Sequence, residues 1–398
     1  MKRSRIDQLI CMQEGLPELN RQTLEELQLQ KLNGLLRRER ARGGFDAGRP
    51  ERRERLAGLQ TLPFTTDEQL AAEGGRMLLL SQSEVRRVLS DATSGTTGRA
   101  KRVFYTEGDC RHTVELFMAG LGELVFPGSV TMICMPFSGP FGLGELIAEA
   151  IEGLSARPLR LGAALCYGQL RDVLETERPD TYVGMPAALL GMLRVCGRGS
   201  LRRALVSGDA CPRSVTEACE AILGSRLFPH YGSREMGLGG AICCAAHEGM
   251  HLRENHVIAE IVGEDGQVLP RGAYGELVIT TVGMEAQPLI RYRTGDYTRI
   301  LPEPCPCGSE VLRLDSLRRA GAAGEMAELD EKLFALPFLA DFRARRGPQG
   351  IELEGLCVGK PDTEAIRALC PELAVLRLRP AREEDGPLTL GKRRLERA

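Results

Sequence analysis

From Val130 to Leu223, short apolar runs alternate with segments patterned for helices, and that alternation leaves few folds open. Val130–Met135, Thr181–Val183 and Ala204–Val206 read as strands, while Gly144–Gly153, Tyr167–Glu177, Pro186–Val195 and Pro212–Leu223 carry helical spacing. Strands separated by helices do not close as tight hairpins. They pair mainly in parallel, with helices covering the sheet. The expected class is therefore α/β. In such sheets ligands sit outside the carboxyl ends of the strands. The turns Ser207-Gly208-Asp209 and Tyr231-Gly232-Ser233-Arg234-Glu235 follow strand-like runs and fall on that edge.

The flanking chain reads differently. Thr23–Arg42 is expected to be a helix, with Thr23 and Glu26 as a capping box and Gly43-Gly44 as its end. Its basic run Arg37–Arg42 reads as a solvated helix end. Pro50–Leu80 reads as a linker with short helices. From His256 the pattern changes to strands without helices, punctuated by Gly266, Gly272 and Gly275, which suggests a small antiparallel or barrel-like module. Ala320-Gly321-Ala322-Ala323-Gly324 reads as a flexible joint. The 398 residues thus divide into a large domain, 1–314, and a small α+β domain, 315–398.

Composition narrows the function classes. A net charge of -2 argues against nucleic acid as the main partner. No apolar stretch approaches the length of a membrane span, and no export signal follows Met1-Lys2-Arg3. Thirteen scattered cysteines, an odd number, suit reduced thiols and a metal site in the cytoplasm rather than a disulfide framework.

The stretch Thr93-Ser94-Gly95-Thr96-Thr97-Gly98-Arg99-Ala100-Lys101 combines hydroxyls, two glycines and a lysine. Such a turn offers N–H and O–H donors to an anion, and Lys101 adds a point charge for a phosphate oxygen. Its lysine lies three places beyond the second glycine, so it does not fit the usual G-x-x-x-x-G-K-[ST] pattern. Three more stretches accompany it: Ser207-Gly208-Asp209, Tyr231–Glu235, and Glu285-Ala286-Gln287-Pro288-Leu289-Ile290-Arg291-Tyr292-Arg293-Thr294-Gly295-Asp296. In this order the four resemble the adenylate-forming superfamily, most closely its phenylacetate–CoA ligase branch, from about Leu62 to Ser309.

That resemblance implies an ATP-dependent acid–CoA ligase acting through an acyl-adenylate on an aromatic or apolar carboxylic acid, with ATP/AMP, Mg²⁺ and CoA. It implies a mobile C-terminal lid and, by analogy with the branch, a homodimer. Ser94, Gly95, Thr96, Thr97, Gly98 and Lys101 would hold phosphates, and Glu235 would hold Mg²⁺. Ser207, Gly208 and Asp209 would lie against adenine, with the Tyr231 ring stacked on it and Gly232 and Ser233 completing that turn. Asp296 would accept from the ribose hydroxyls, and Arg319 would contact the ribose. Arg234 stands where the family has Thr beside the α-phosphate; its guanidinium can contact phosphate bidentately. Lys392, in Gly391-Lys392, matches the terminal catalytic lysine. Phe137, Phe141, Gly142, Met185 and Pro186 correspond to the acyl pocket.

The branch also carries a Cys/His pattern that binds zinc in some members. Here Cys244, His251, Cys305 and Cys307 match it, with Cys243 and His247 as alternatives. The pantetheine-tunnel loop is not recognisable, and a shortened Ala320–Glu328 replaces it. An adenylating enzyme with a non-CoA acceptor and a degenerate nucleotide-binding scaffold therefore stay open.

Overall fold

The computed structural model describes residues 4–91 and 101–397. Two compact units emerge, one from Met1–Gly120 with His230–Leu317, the other from Leu121–Pro229 with Arg318–Ala398.

The first unit begins with helices Arg5–Glu14 and Arg21–Arg42. The second of these buries Leu24, Leu32, Leu35 and Leu36 on one stripe. Each such leucine contributes about 2 kcal/mol of burial. Its cap differs from expectation: Asn20 is the N-cap, and Thr23 sits three residues inside, returning the reciprocal hydrogen bond to the Asn20 N–H. Asn outranks a residue already in helical conformation for this role, because only a non-helical backbone can turn its side chain onto the first free N–H groups. Leu32, Leu35 and Leu36 pack with Leu59, Leu62, Leu79, Ile258, Val282 and Ile290. Strands Arg87–Asp91 and Lys101–Tyr105 pair antiparallel. Ile258–Val262, Gly275–Thr280 and Tyr292–Thr298 form a second antiparallel set. Among the described residues this set is an open sheet and closes no barrel, which corrects the barrel-like expectation. The glycines mark turns between strands; they do not supply the strand count that closure needs.

The second unit holds the parallel sheet. Val130–Cys134 pairs with Arg157–Arg160 on one side and Thr181–Gly184 on the other, followed by Arg203–Val206, all in parallel register. Helices Leu143–Gly153, Tyr167–Thr176 and Pro186–Cys196 connect them and Arg213–Leu223 follows the last, all within a residue or two of the expected bounds. The C-terminal segment adds the helix Gly321–Leu333, the hairpin Leu339–Gly347 with Gly350–Cys357, the helix Thr363–Leu369 and the strand Leu373–Pro380. One core joins both parts of this unit, with Tyr182, Leu189 and Leu193 in the same cluster as Leu333, Phe334 and Phe342.

The joint expected at Ala320–Gly324 is instead the start of the helix Gly321–Leu333. Ala322 and Ala323 are strong helix formers. Gly324 is there for space: a Cβ would collide with the Arg319 carbonyl oxygen.

Candidate active site

Lys101 opens the strand Lys101–Tyr105 in the first unit. Its Nζ lies 2.6 Å from Glu235 Oε1, 3.1 Å from Asp67 Oδ1 and 3.1 Å from Tyr292 Oη. These partners match the three donors of an ammonium. Asp67 stands at the first turn of the helix Asp67–Glu73, and Tyr292 also donates its hydroxyl to Asp67.

Glu235 sits in the short 3-10 turn Arg234–Met236 and is 5% exposed. Burial pushes its carboxyl up, but the Lys101 ammonium outweighs that and leaves it below the usual carboxylate range. Burial likewise pulls Lys101 down, and Glu235 with Asp67 more than restores it, above an ordinary lysine. Both groups are therefore charged: an ionised carboxylate and an ammonium on neighbouring atoms. The turn that carries Glu235 is tight, since a Cβ at Gly232 would collide with the Leu238 carbonyl. The Tyr105 hydroxyl donates to the Arg234 carbonyl at 2.6 Å and fixes the same turn from the strand side. Ser233 precedes that turn and is half-buried.

Asp296 lies on the strand Tyr292–Thr298, where the pairing with Gly275–Thr280 breaks register between Glu276 and Val278. Gly295 takes a φ of +69° in that bulge, and its N–H donates to Glu276 Oε1 at 3.1 Å. The bulge re-aims the next side chain inward. Asp296 is 6% exposed, and Tyr231 donates its hydroxyl to Asp296 Oδ2 at 2.8 Å. Lys101, Glu235, Tyr231 and Asp296 thus gather in the first unit through the strand that begins at Tyr292. Ser94, Gly95, Thr96, Thr97 and Gly98 lie outside the described residues.

The remaining expected residues belong to the second unit. Ser207 is buried, and Gly208 takes a φ of +89°. Asp209 Oδ1 accepts from the Ala210 N–H at 2.9 Å and Oδ2 from the Arg393 N–H at 2.6 Å. Burial raises the Asp209 carboxyl, and the Arg393 and Ala210 N–H groups, with the Arg319 and Arg393 charges behind them, pull against that rise; the tail meets this turn through Arg393. Lys392 is exposed.

Met185 lines an apolar cavity of about 20 Å³ with Cys134, Tyr182, Met192 and Leu390. That is room for one water. Phe137, Phe141, Gly142 and Pro186 do not line it. Phe137 and Phe141 sit in the loop before the helix Leu143–Gly153, Phe141 with a left-handed φ of +61° and Gly142 as the N-cap. Phe137 instead covers Gly144, where a Cβ would meet its ring. Pro186 is the first residue of its helix, the position where proline costs nothing.

Cys244, His251, Cys305 and Cys307 converge in the first unit, their ligand atoms all within 4.8 Å of one another. Cys244 Sγ and Cys305 Sγ are 3.7 Å apart, and Cys307 Sγ is 3.4 Å from His251 Nε2. Tetrahedral zinc with Zn–S bonds of about 2.3 Å needs sulfurs about 3.8 Å apart, so the donor set fits. Cys243 and His247 form a separate pair at 3.9 Å.

Sequence reasoning missed Asp67 and Tyr292, which hold Lys101, and Arg393, which holds the tail. Tyr292 was visible inside the run ending at Asp296; Asp67 gave no sign beyond its helix-start position.

Comparison with known proteins bears on these groups. The AMP-binding enzyme family matches residues 92–285. A phenylacetate–coenzyme A ligase of Thermus thermophilus is 28% identical over 325 residues, covering 76% of this chain and 71% of that protein. The Aromatoleum evansii phenylacetate–coenzyme A ligase is 30% identical over 314 residues, covering 73% and 69% respectively. In fold, a 2-hydroxyisobutyryl-CoA ligase in the postadenylation state superposes with a TM-score of 0.76 at 18% identity, over 94% of this chain and 89% of that one.

Proposed function

The chain belongs to the phenylacetate–coenzyme A ligase family of AMP-binding enzymes, an AMP-forming acid–CoA ligase, and we propose that its acid is aromatic or of similar apolar character. A carboxylate oxygen of that acid attacks the α-phosphorus of ATP, and pyrophosphate leaves. The CoA thiol then attacks the acyl carbon and AMP leaves. Negative charge spreads over phosphate oxygens in the first step, so fixed donors and cations supply most of the stabilisation.

The observation that carries this reading is the charged Lys101–Glu235 contact at 2.6 Å, four residues along from Tyr231, whose hydroxyl meets Asp296. Lys101, with the hydroxyls of Ser94, Thr96 and Thr97, would hold the outer phosphates. Glu235 would hold Mg²⁺, which neutralises phosphate charge when bound. Asp296 would accept from the ribose, Tyr231 would stack on adenine, and Arg234 would reach a phosphate. Ser207, Gly208, Asp209 and Arg319 would flank the nucleotide. Residues 315–398 would act as the lid carrying Lys392. Met185 would meet the acyl group; the cavity beside it must widen to take a ring.

A pyrophosphate-release screen over aromatic and aliphatic acids, with and without CoA, tests the reading. Release should need an apolar acid, and mass spectrometry should find its CoA thioester. Release without a thioester would point to another acceptor, and ATP binding without release across the panel would contradict the enzyme assignment.

Zinc is proposed at Cys244, His251, Cys305 and Cys307. It would tie the turn at Cys305-Pro306-Cys307 to the strand Met250–Leu252 within the first unit. Metal analysis of protein purified without chelator should give about one zinc per chain, and chelation should lower the melting temperature. Protein free of zinc and indifferent to chelator would remove the claim. The cytoplasm is proposed as the compartment, in keeping with an odd number of cysteines scattered along the chain. A homodimer is carried as part of the same proposal, to be read from light scattering.

A further inference from the structure

Lys392 and Arg394 are exposed, yet Arg393 between them is 7% exposed. Its guanidinium is gripped from every side. Nε lies 3.0 Å from both Asp330 oxygens, Nη1 is 3.0 Å from Asp341 Oδ1, and Nη2 donates to the Phe342 carbonyl at 2.8 Å. Phe334 and Phe342 stack on it at 5.1 and 4.7 Å. Its backbone N–H, one bond from the Lys392 carbonyl carbon, donates to Asp209 Oδ2 at 2.6 Å. Asp341 meanwhile takes the Leu388 N–H at 2.7 Å with its other oxygen, so the tail is held on both sides of Lys392. Further on, the Leu395 N–H donates to the Ala322 carbonyl at 2.9 Å.

We propose that Arg393 is a positioning residue for adenylation, clamping the tail so that Lys392 stands at the Ser207–Asp209 turn. The proposal rests on the reading of Lys392 as the catalytic lysine. A tail that only needed anchoring could bury an apolar side chain at lower desolvation cost. A guanidinium instead fixes direction as well as depth, because its planar fork meets carboxylates in one geometry. Asp209 then ties the backbone of the lysine to a turn already placed by its own Ala210 hydrogen bond. Long lysine side chains carry much rotamer freedom, and a fixed root narrows where the ammonium can go. Misplacement by about 1 Å can cost roughly 10²-fold in rate.

The test separates the two half-reactions in the full-length enzyme. ATP–pyrophosphate exchange with an accepted acid reads adenylation; CoA thioester formation from chemically prepared acyl-adenylate reads the second step. Arg393→Met should lower the exchange kcat by about 10²-fold, with the KM for ATP and thioester formation within about threefold of the parent. Arg393→Lys keeps the charge without the fork and should restore part of the exchange. Arg394→Ala, on the exposed neighbour, should match the parent. If Lys392→Ala keeps full exchange, the catalytic reading of that lysine falls. If Lys392→Ala loses exchange while both Arg393 variants keep it, the clamp proposal falls and the lysine stands. Equal loss of both half-reactions in both Arg393 variants would make Arg393 a structural anchor and overturn the proposal.

Discussion

Glu235→Gln should lower ATP–pyrophosphate exchange by roughly 10²- to 10³-fold, an effect of the size seen when one fixed electrostatic partner of a transition state is removed. The substitution keeps the shape and one acceptor but deletes the charge that would hold Mg²⁺. Glutamine is a poor ligand for a small, strongly hydrated cation that prefers carboxylates. The fold should survive. Lys101 retains Asp67 and Tyr292, so the stability loss should stay within about 3 kcal/mol. Melting temperature therefore distinguishes lost chemistry from lost structure. The pH dependence has a definite sign. The Glu235 carboxyl is held below its ordinary value, so its contribution to stability is complete above the unfolded value and is lost as pH falls through the folded one. Lys101 is held above its ordinary value, so its contribution is complete below the unfolded value and is lost only as pH rises through the folded one. Exchange by the parent should thus show no loss from either group at neutral pH. Undiminished exchange by Glu235→Gln at limiting Mg²⁺ would show that the carboxylate does not hold the metal.

Asp296→Asn should act on binding more than on chemistry. An ionised carboxylate accepting from both ribose hydroxyls makes charge-assisted hydrogen bonds, each stronger than a neutral one. Asparagine presents one acceptor where there were two, and Tyr231 competes for it. The Kd for ATP should rise by about 10²-fold, measured by titration calorimetry, while kcat at saturating ATP changes little. An unchanged Kd would take Asp296 away from the ribose.

These expectations were readable in the sequence to different degrees, for physical reasons. The parallel sheet followed from periodicity, since burial on both faces leaves apolar runs that helices must separate. The zinc-like cluster followed from local pairs, Cys305 with Cys307 on one turn, and its approach to Cys244 and His251 came through resemblance. Thr23 was mistaken for a cap because Asn20, just upstream, belongs equally well to a loop until the backbone is seen. Ala320–Gly324 looked like a joint from its glycines, although Gly324 is required by a close backbone approach. The open sheet could not be told from a barrel, because closure depends on strand pairing at long range. The Lys101–Tyr292–Asp67 contacts and the Arg393 clamp were illegible for the same reason: each joins residues far apart in the chain, and no local pattern encodes them. The tail's G-K motif pointed to Lys392 and drew attention away from the arginine that fixes it.

The central claim is that a carboxylate oxygen bonds to the innermost phosphorus of ATP, and isotope transfer tests it most directly. With an accepted acid labelled with ¹⁸O in both carboxylate oxygens, one labelled atom should be recovered in the phosphate of AMP after CoA thioester forms. Label found in free phosphate beside ADP, or AMP released without any label, would contradict the account.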